Sequence, residues 1–471
     1  YSGSVGNDTI KFGADIARSD IYLSRIDGDL IINFRNSPDD LITIKNQFSY
    51  LGNRIENIHF DNGDTAIDLT NPTTLTFEYN GTDDNDTFSS NNYTEYTDII
   101  STGAGNDTID ASGGNDIINA GKGDDIIGNI NHNFGDDTYI YNQGDGKDTI
   151  REFIGDSYYN YSVGNDTILF KEGIARSDIY FVTQNQNDLI IRFRNNPDDQ
   201  IIIKNQFLSE GYRIENLHFA NGDDVMDLTD SSQITFEYSG NAGDDYISNQ
   251  FGTNIINTNE GNDTISTGAG NDIINSGSGD DTIEAGSGNN TINAGTGNDT
   301  INSNSGSDTY LYSKGDGSDV IHDYYGTDTI VFDDSINQDD IYFVRGSATG
   351  TGSQVNDLLI KFKNNPDDQI AIANYFNGSS SSYDTGQYVE TLNFSNGNKI
   401  DLSSPANLQY QMTGTAGDDN LTYNNYTEYT DIINAGAGND VIDAAGGNDI
   451  INAGKGDDII GNINHNFGDD T

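Results

Sequence analysis

Cysteine is absent from all 471 residues, which removes both a disulfide framework and a thiolate metal site. Basic side chains are scarce: 21 Lys and Arg stand against 76 Asp and Glu, a net charge of −55. Phosphate contacts need Lys and Arg, so this balance argues against nucleic acid and against anionic membrane surfaces as partners. No hydrophobic run is long enough to span a bilayer, so membrane insertion is not expected, and no stretch of these 471 residues reads as a signal peptide. Catalytic motifs are missing too. The five histidines (His59, His132, His218, His322, His465) are scattered, none lies in an HExxH motif, and no GxSxG elbow occurs. His59 and His218 occupy one repeated position and His132 and His465 another, which marks them as parts of the fold. The chain is therefore expected not to be an enzyme.

What the sequence does contain is a nine-residue period. Eight consecutive nonapeptides run from Gly240 to Leu311, mostly as x-G-x-G-N/D-D-x-Ile-x; TGAGNDIIN (267–275), SGSGDDTIE (276–284) and AGTGNDTIN (294–302) are the clearest copies. The glycines permit turn angles closed to other residues. The aspartate at the sixth position offers a hard anionic oxygen suited to calcium, and turn carbonyls would complete a shell of oxygens. The aliphatic at the eighth position points inward from a short strand. This phasing is the signature of a calcium-binding parallel β-roll. Two nonapeptides make one coil, so turns on one edge stack every 18 residues, about 4.8 Å apart, and each ion would bridge repeat n to repeat n+2.

The stacking assigns ligands to edges. Asp245, Asp263, Asp281 and Asp299 share one edge, expected to bind calcium between every pair of coils. Asn254, Asp272, Asn290 and Asp308 share the other, where alternation with Asn halves the ligand charge and predicts weaker or partial occupancy. On the order of two dozen divalent ions would neutralise most of the net charge.

A longer repeat encloses the nonapeptides. DLIINFRNSPDDLITIKNQF (29–48) returns at 188–207 and 357–376, and RIENIHFDNGD (54–64) returns at 213–223 and 389–398. Six segments follow: β-rich flanking modules at 1–79, 139–237 and 312–411, and nonapeptide arrays at 80–138, 238–311 and 412–471. In the modules Leu189, Ile191 and Phe193 alternate with Arg192 and Arg194 as in a strand. GIARSDIY (173–180) reads as one helical turn entering a strand, and Pro38, Pro197 and Pro366, each before Asp-Asp, mark turns between strands. Those carboxylate pairs, Asp39-Asp40, Asp198-Asp199 and Asp367-Asp368, suit a turn or accessory calcium role better than glycoside hydrolysis. The phenylalanines Phe34, Phe193 and Phe362 fall at inward strand positions, as core. Other copies lack the Thr296 and Asn298 pair of AGTGNDTIN, so a flat ice-binding face is not built. Residues 91–138 return as 424–471 with four substitutions, Ser101/Asn434, Thr102/Ala435, Thr108/Val441 and Ser112/Ala445. The chain begins at Tyr1 within a module and stops within a repeat, so it is expected to be a window on a longer array.

These residues resemble the RTX (repeats-in-toxin, haemolysin-type calcium-binding) family, and the two motifs together cover nearly the whole chain. The resemblance implies calcium ligands at Asp107, Asp116 and Asp125 in the first array, at the aspartates named above in the second, and at Asp419, Asp440, Asp449 and Asp458 in the third. Ser112 and Ala445 depart from the second-position glycine, and 88–97 and 422–430 lose the pattern. The resemblance also implies type I secretion and folding outside the cell. The expected architecture is all-β, with calcium-binding β-roll segments alternating with β-rich modules in a rod-like tandem array. The expected role is a structural segment of a large secreted bacterial surface protein, as extracellular fibre, surface layer or adhesin stalk, that self-associates with neighbouring copies or repeats. The alternative is an export and folding scaffold for a toxin or enzyme whose active domain lies elsewhere. Excess EGTA at neutral pH is expected to abolish the β-type far-UV circular dichroism; a native spectrum under chelation would contradict the charge argument.

Overall fold

The computed structural model describes residues 6–26, 28–49, 54–89, 96–128, 135–152, 164–347, 357–376, 389–403, 408–422, 429–444, 446–461 and 471. His132, His465, Ala445, most of 88–97 and 422–430, and most of the Gly/Ser-rich insertions near 346–356 and 377–387 lie outside the described residues. The chain is all-β, with short 3-10 turns and no α-helix among the described residues. It forms two compact units, Tyr1–Gln233 and Ile234–Thr471.

The second unit shows why a nine-residue period folds this way. Each nonapeptide spends its last residues in a short strand and its first on a turn, so successive strands fall alternately on two parallel sheets. On one sheet Ile256 pairs with Ile274, Ile274 with Ile292, and Ile292 with Tyr310. On the other Ile247, Ile265, Ile283 and Ile301 are in register. Most of these isoleucines are completely buried, so each coil closes its core with two side chains, and the stacked coils supply the rest. A lone coil would leave those side chains wet; stacking is what makes the fold stable.

The first residue of the nonapeptide is small because it fills the interior corner. Thr258 Oγ1 donates to Ser276 O at 2.8 Å, Ser276 Oγ to Ala294 O at 2.7 Å, and Thr267 Oγ1 to Ala285 O at 2.7 Å. Glycine at the fourth position is forced by both angle and space. Gly279 sits at φ +129°, and a Cβ there would come within 2.0 Å of Gly261 O in the neighbouring coil. Ser112, which stands where a second-position glycine is expected, still adopts φ 67°.

The parallel ladders run on through the flanking modules. Tyr310 pairs with Ile330, and Ile330 with Leu392; Ile301 pairs with Ile321, and Ile321 with Ile372. The first unit repeats the pattern from Tyr79 through Ile100, Ile118, Tyr139 and Ile168 to Leu217. Its second ladder runs from Phe88 through Ile109, Ile127 and Ile150 to Ile203. What distinguishes a module is an antiparallel hairpin inserted in the coil. Strand Ile179–Gln184 turns back as Asp188–Phe193, which returns as Gln200–Ile203 into the parallel ladder. A 3-10 turn, Arg176–Asp178, leads into that hairpin as the sequence suggests. Leu189, Ile191 and Phe193 are buried while Arg192 and Arg194 are exposed.

The modules also share an aromatic core. Phe193 stacks on Tyr141 at 5.2 Å and Phe362 on Tyr312 at 5.4 Å, while Phe34 meets Phe12 edge-on at 5.8 Å. One turn expectation fails. Pro38 and Pro197 lie in turns, but Pro366 lies inside strand Asn365–Ile372. The turn there closes early, at Lys363-Asn364, and the pairing of Phe362 with Asn365 is bulged, so proline sits at an exposed position near the strand's start where a ladder donor is not required.

Gly279→Ala is expected to destabilise the second unit by on the order of 1–3 kcal/mol from backbone conformation alone, before the clash with Gly261 O is counted. Thermal unfolding in saturating calcium measures this, and an unchanged midpoint would refute the close-approach argument.

Candidate metal centres

The sixth-position aspartates form continuous hydrogen-bonded ladders. Each Oδ1 accepts the backbone N–H of the corresponding residue in the neighbouring coil. On one edge of the second unit the N–H of Asp245 donates to Asp263, Asp263 to Asp281 and Asp281 to Asp299, each at 2.8 Å. Asp299 then donates to Asp319 at 3.0 Å. On the other edge Asn254 donates to Asp272 at 2.7 Å, Asp272 to Asn290 at 3.0 Å, Asn290 to Asp308 at 2.7 Å and Asp308 to Asp328 at 2.7 Å. The first unit repeats this. Asp107 donates to Asp125 at 2.7 Å, and Asp116 to Asp137 at 2.8 Å. In 412–471 Asp419 donates to Asp440 at 2.9 Å, Asp440 to Asp458 at 3.0 Å, and Asp431 to Asp449 at 2.8 Å.

The ladder brings all thirteen aspartates expected from the sequence into stacked turns. Asp107, Asp116, Asp125, Asp263, Asp272, Asp281, Asp299, Asp308, Asp440 and Asp449 are buried; Asp245, Asp419 and Asp458 are partly covered. It also enlists residues outside that set: Asp86, Asp98, Asp137, Asp148, Asp166, Asp319, Asp328 and Asp431. Glutamates close it. Glu56, Glu215 and Glu390 accept the N–H groups of Asp8, Asp166 and Asp328 at 2.6, 2.7 and 2.6 Å. A signal for several of these was present in the chain. GNDTI (164–168), GKDTI (146–150) and GSDVI (317–321) keep the Gly-x-Asp-x-Ile part of the nonapeptide, but at spacings other than nine. Rungs are 18 residues apart in the second array, yet 21 separate Asp116 from Asp137 and Asp419 from Asp440, 23 separate Asp125 from Asp148 and 29 separate Asp137 from Asp166. Insertions leave the ladder between rungs and rejoin it.

A second ladder lies outside the first, at the fifth position. Asn262 N–H donates to Asp244 at 2.8 Å, Asp280 to Asn262 at 2.9 Å, and Asn298 to Asp280 at 2.8 Å. This explains why the position on this edge is Asp244, Asn262, Asp280 and Asn298: each carries a short side-chain acceptor.

The second carboxylate oxygen tests whether these turns fit a cation. Oδ2 of Asp107, Asp116, Asp125, Asp263, Asp299 and Asp440 is buried and has no hydrogen-bond partner. Burying an unpaired carboxylate oxygen is costly, and a row of them is the donor set of a hard divalent ion. Metal-free, burial raises Asp299 to about 7, Asp116 to about 8 and Asp148 to about 9, with neighbouring carboxylates adding to each. The asparagines on the alternating edge behave differently: Asn254 Nδ2 donates to Asp272 Oδ1 at 2.9 Å, a proton donor on the carboxylate that a full aspartate edge lacks. Some rungs have a protein cation nearby. The guanidiniums of Arg25 and Arg345, each seated over aromatic rings, partly offset the burial that raises Asp98 and Asp431 to about 7.

In the second and third modules the Asp pair after proline holds a loop. Asp199 Oδ2 accepts Gly144 N–H and Asp368 Oδ2 accepts Gly315 N–H, both at 2.7 Å, which fixes the GDG turns of their modules. His59 and His218 sit at matching places on strands Asn57–Phe60 and Asn216–Phe219, and His322 lies on strand Ser318–Gly326.

Stacked glycine turns, short parallel strands and rows of buried aspartates define a metal-binding parallel β-roll. Sequence comparison names its kind. The RTX calcium-binding nonapeptide repeat matches residues 93–127, 249–283, 275–310 and 426–460, and the haemolysin-type calcium binding protein related domain matches 29–67, 188–223 and 357–404. The chain belongs to the RTX, haemolysin-type calcium-binding family, and its repeats are calcium-binding repeats. No curated protein matches it. Among solved structures, the extracellular lipase LipA from Serratia marcescens is similar at 16% identity and a TM-score of 0.18, over 69% of this chain and 40% of the lipase. This chain thus spans well under half of that protein.

A raised folded pKa means the metal-free fold binds more protons than the unfolded chain, so its stability is greatest in acid. It falls as pH climbs from the ordinary carboxylate range through about 7 to 9. Metal-depleted protein is therefore expected to regain β-type circular dichroism near about pH 4 and lose it by about pH 8. Equal spectra at both values would contradict the buried-carboxylate ladder.

Proposed function

We propose that this chain is a calcium-stabilised structural segment of a large secreted bacterial surface protein, serving in an extracellular fibre, a surface layer or an adhesin stalk. The observation that carries the proposal is the ladder itself. The buried carboxylates are consumed in joining coil to coil, through arrays and modules alike, and no catalytic motif accompanies them in the sequence. The chain's role in this reading is mechanical rather than enzymatic. Export through a type I system would precede folding, since the ladder repels itself where free calcium is low and closes where calcium is abundant. Neighbouring copies or repeats would then associate at the cell surface.

The second reading, an RTX scaffold that aids export and folding of an active domain outside this chain, uses the same ladder. Electron microscopy of the native protein in millimolar calcium, repeated after chelation, separates the two. Continuous fibres or sheets that disperse on chelation are expected. Separate particles bearing a distinct additional domain, with no assembly, would favour the scaffold.

A further inference from the structure

The ladder of the second unit changes character where the array passes into its module. In strand Thr300–Gly306 the corner position is Ser303, and its partner in the next coil, strand Ser318–Gly326, is Asp323. A carboxylate thus enters a corner that small side chains fill elsewhere. It meets Asp308 and Asp328, successive rungs of one edge, and an oxygen from each of the three lies within 4.8 Å of the others. All three are buried, Asp308 at 1%, Asp323 at 4% and Asp328 at 0% exposure.

Their hydrogen bonds orient these carboxylates and leave oxygens over. Tyr310 Oη donates to Asp323 Oδ2 at 2.6 Å, and Asp323 Oδ1 has no partner. Asp308 N–H donates to Asp328 Oδ1 at 2.7 Å, and Asp328 Oδ2 has no partner. Asp308 is itself held by Ser303 Oγ and by Asn290 N–H. A ligating carboxylate steadied through its other oxygen is the usual outer-shell arrangement of a metal site. The first unit repeats the hydrogen bonds, though not the convergence of three oxygens, at Asp137, Glu152 and Asp166. Asp137 N–H donates to Asp166 Oδ1 at 2.8 Å, and the hydroxyl of Tyr139 is hydrogen-bonded to Glu152. The spacing Asp-x-Tyr followed by an acid 15 residues after the first Asp recurs in both copies.

We propose that Asp308, Asp323 and Asp328 form a separate hard-cation site, for calcium, at the junction of array and module, with Tyr310 positioning Asp323. Asp323 lies outside both matched family regions, and the site differs from the glycine-turn sites in drawing a ligand from the interior corner. An all-oxygen set of three carboxylates suits calcium over softer transition metals. The ion would lock the first module coil onto the last array coil, so the array's end would not depend on a further nonapeptide.

The test is a crystal structure of the 471-residue chain grown in calcium, with long-wavelength anomalous maps, and bound calcium per chain for two variants. A peak among Asp308, Asp323 and Asp328 is expected. Asp323→Asn is expected to bind one calcium fewer per chain, and Asp323→Glu, the acid found at Glu152, to keep the wild-type number. Peaks in the glycine turns with none at the trio, its carboxylates sharing a proton instead, would overturn this inference and leave the calcium reading of the turns intact. Absence of peaks anywhere would overturn both. An unchanged calcium content in a folded Asp323→Asn protein would also overturn it, and should that variant not fold, the wild-type map decides.

Discussion

A buried aspartate that accepts the N–H of the aspartate in the next coil, with its second oxygen left unpartnered, is the unit on which everything else rests. At about 4 Å and an effective dielectric of about 20, two such charges repel by about 4 kcal/mol. A ladder such as Asp245, Asp263, Asp281, Asp299 and Asp319 repeats that repulsion rung after rung. Folded domains have only about 5–15 kcal/mol in hand. Without cations or protons on its carboxylates the ladder cannot persist at neutral pH, so folding and calcium binding are one equilibrium.

Packing then follows from the same geometry. Coils separated by a strand spacing leave room for one aliphatic per strand, which is why Ile265, Ile274, Ile283 and Ile292 are all fully buried. They leave no room for a Cβ at Gly279 or Gly286, each of which would meet a carbonyl oxygen within 2.0 Å. The core therefore supplies cohesion between coils but no closure at the turns, where the carboxylates sit. Apolar stacking and ion binding act on different edges of one cross-section, and neither would hold a coil alone.

Modules and arrays share this cross-section, which changes what a module is. The hairpin of 179–193 and its counterpart, strands Ile341–Gly346 and Asp357–Phe362, add antiparallel strands and an aromatic core. The parallel sheets meanwhile continue beneath them. A glutamate at Glu215 or Glu390 accepts the last N–H. A module thus extends the coil past the nonapeptides and ends its hydrogen-bonding row.

Much of this was legible in the chain because a strict period leaves little freedom. Gly at the fourth position, Asp at the sixth and Ile at the eighth dictate the turn, the ladder and the core of every coil, so the β-roll and the stacking of residues such as Asp263 and Asp281 could be read directly. The inward Leu189, Ile191 and Phe193 were equally readable, while Asp188 and Ile190 are buried as well. What the sequence alone left hidden were contacts that skip the period. Asp148, Asp166 and Asp328 join the ladder after intervals lengthened by insertions, and Asp323 meets Asp308 and Asp328 only because a corner residue happens to lie above Ser303. Pro366 fell in a strand rather than a turn because a bulge at Phe362 shifted the hairpin. Local periodicity determines what each coil is; only the stacked tertiary structure decides which distant carboxylates share a site, because that depends on where each insertion lets the chain rejoin the ladder.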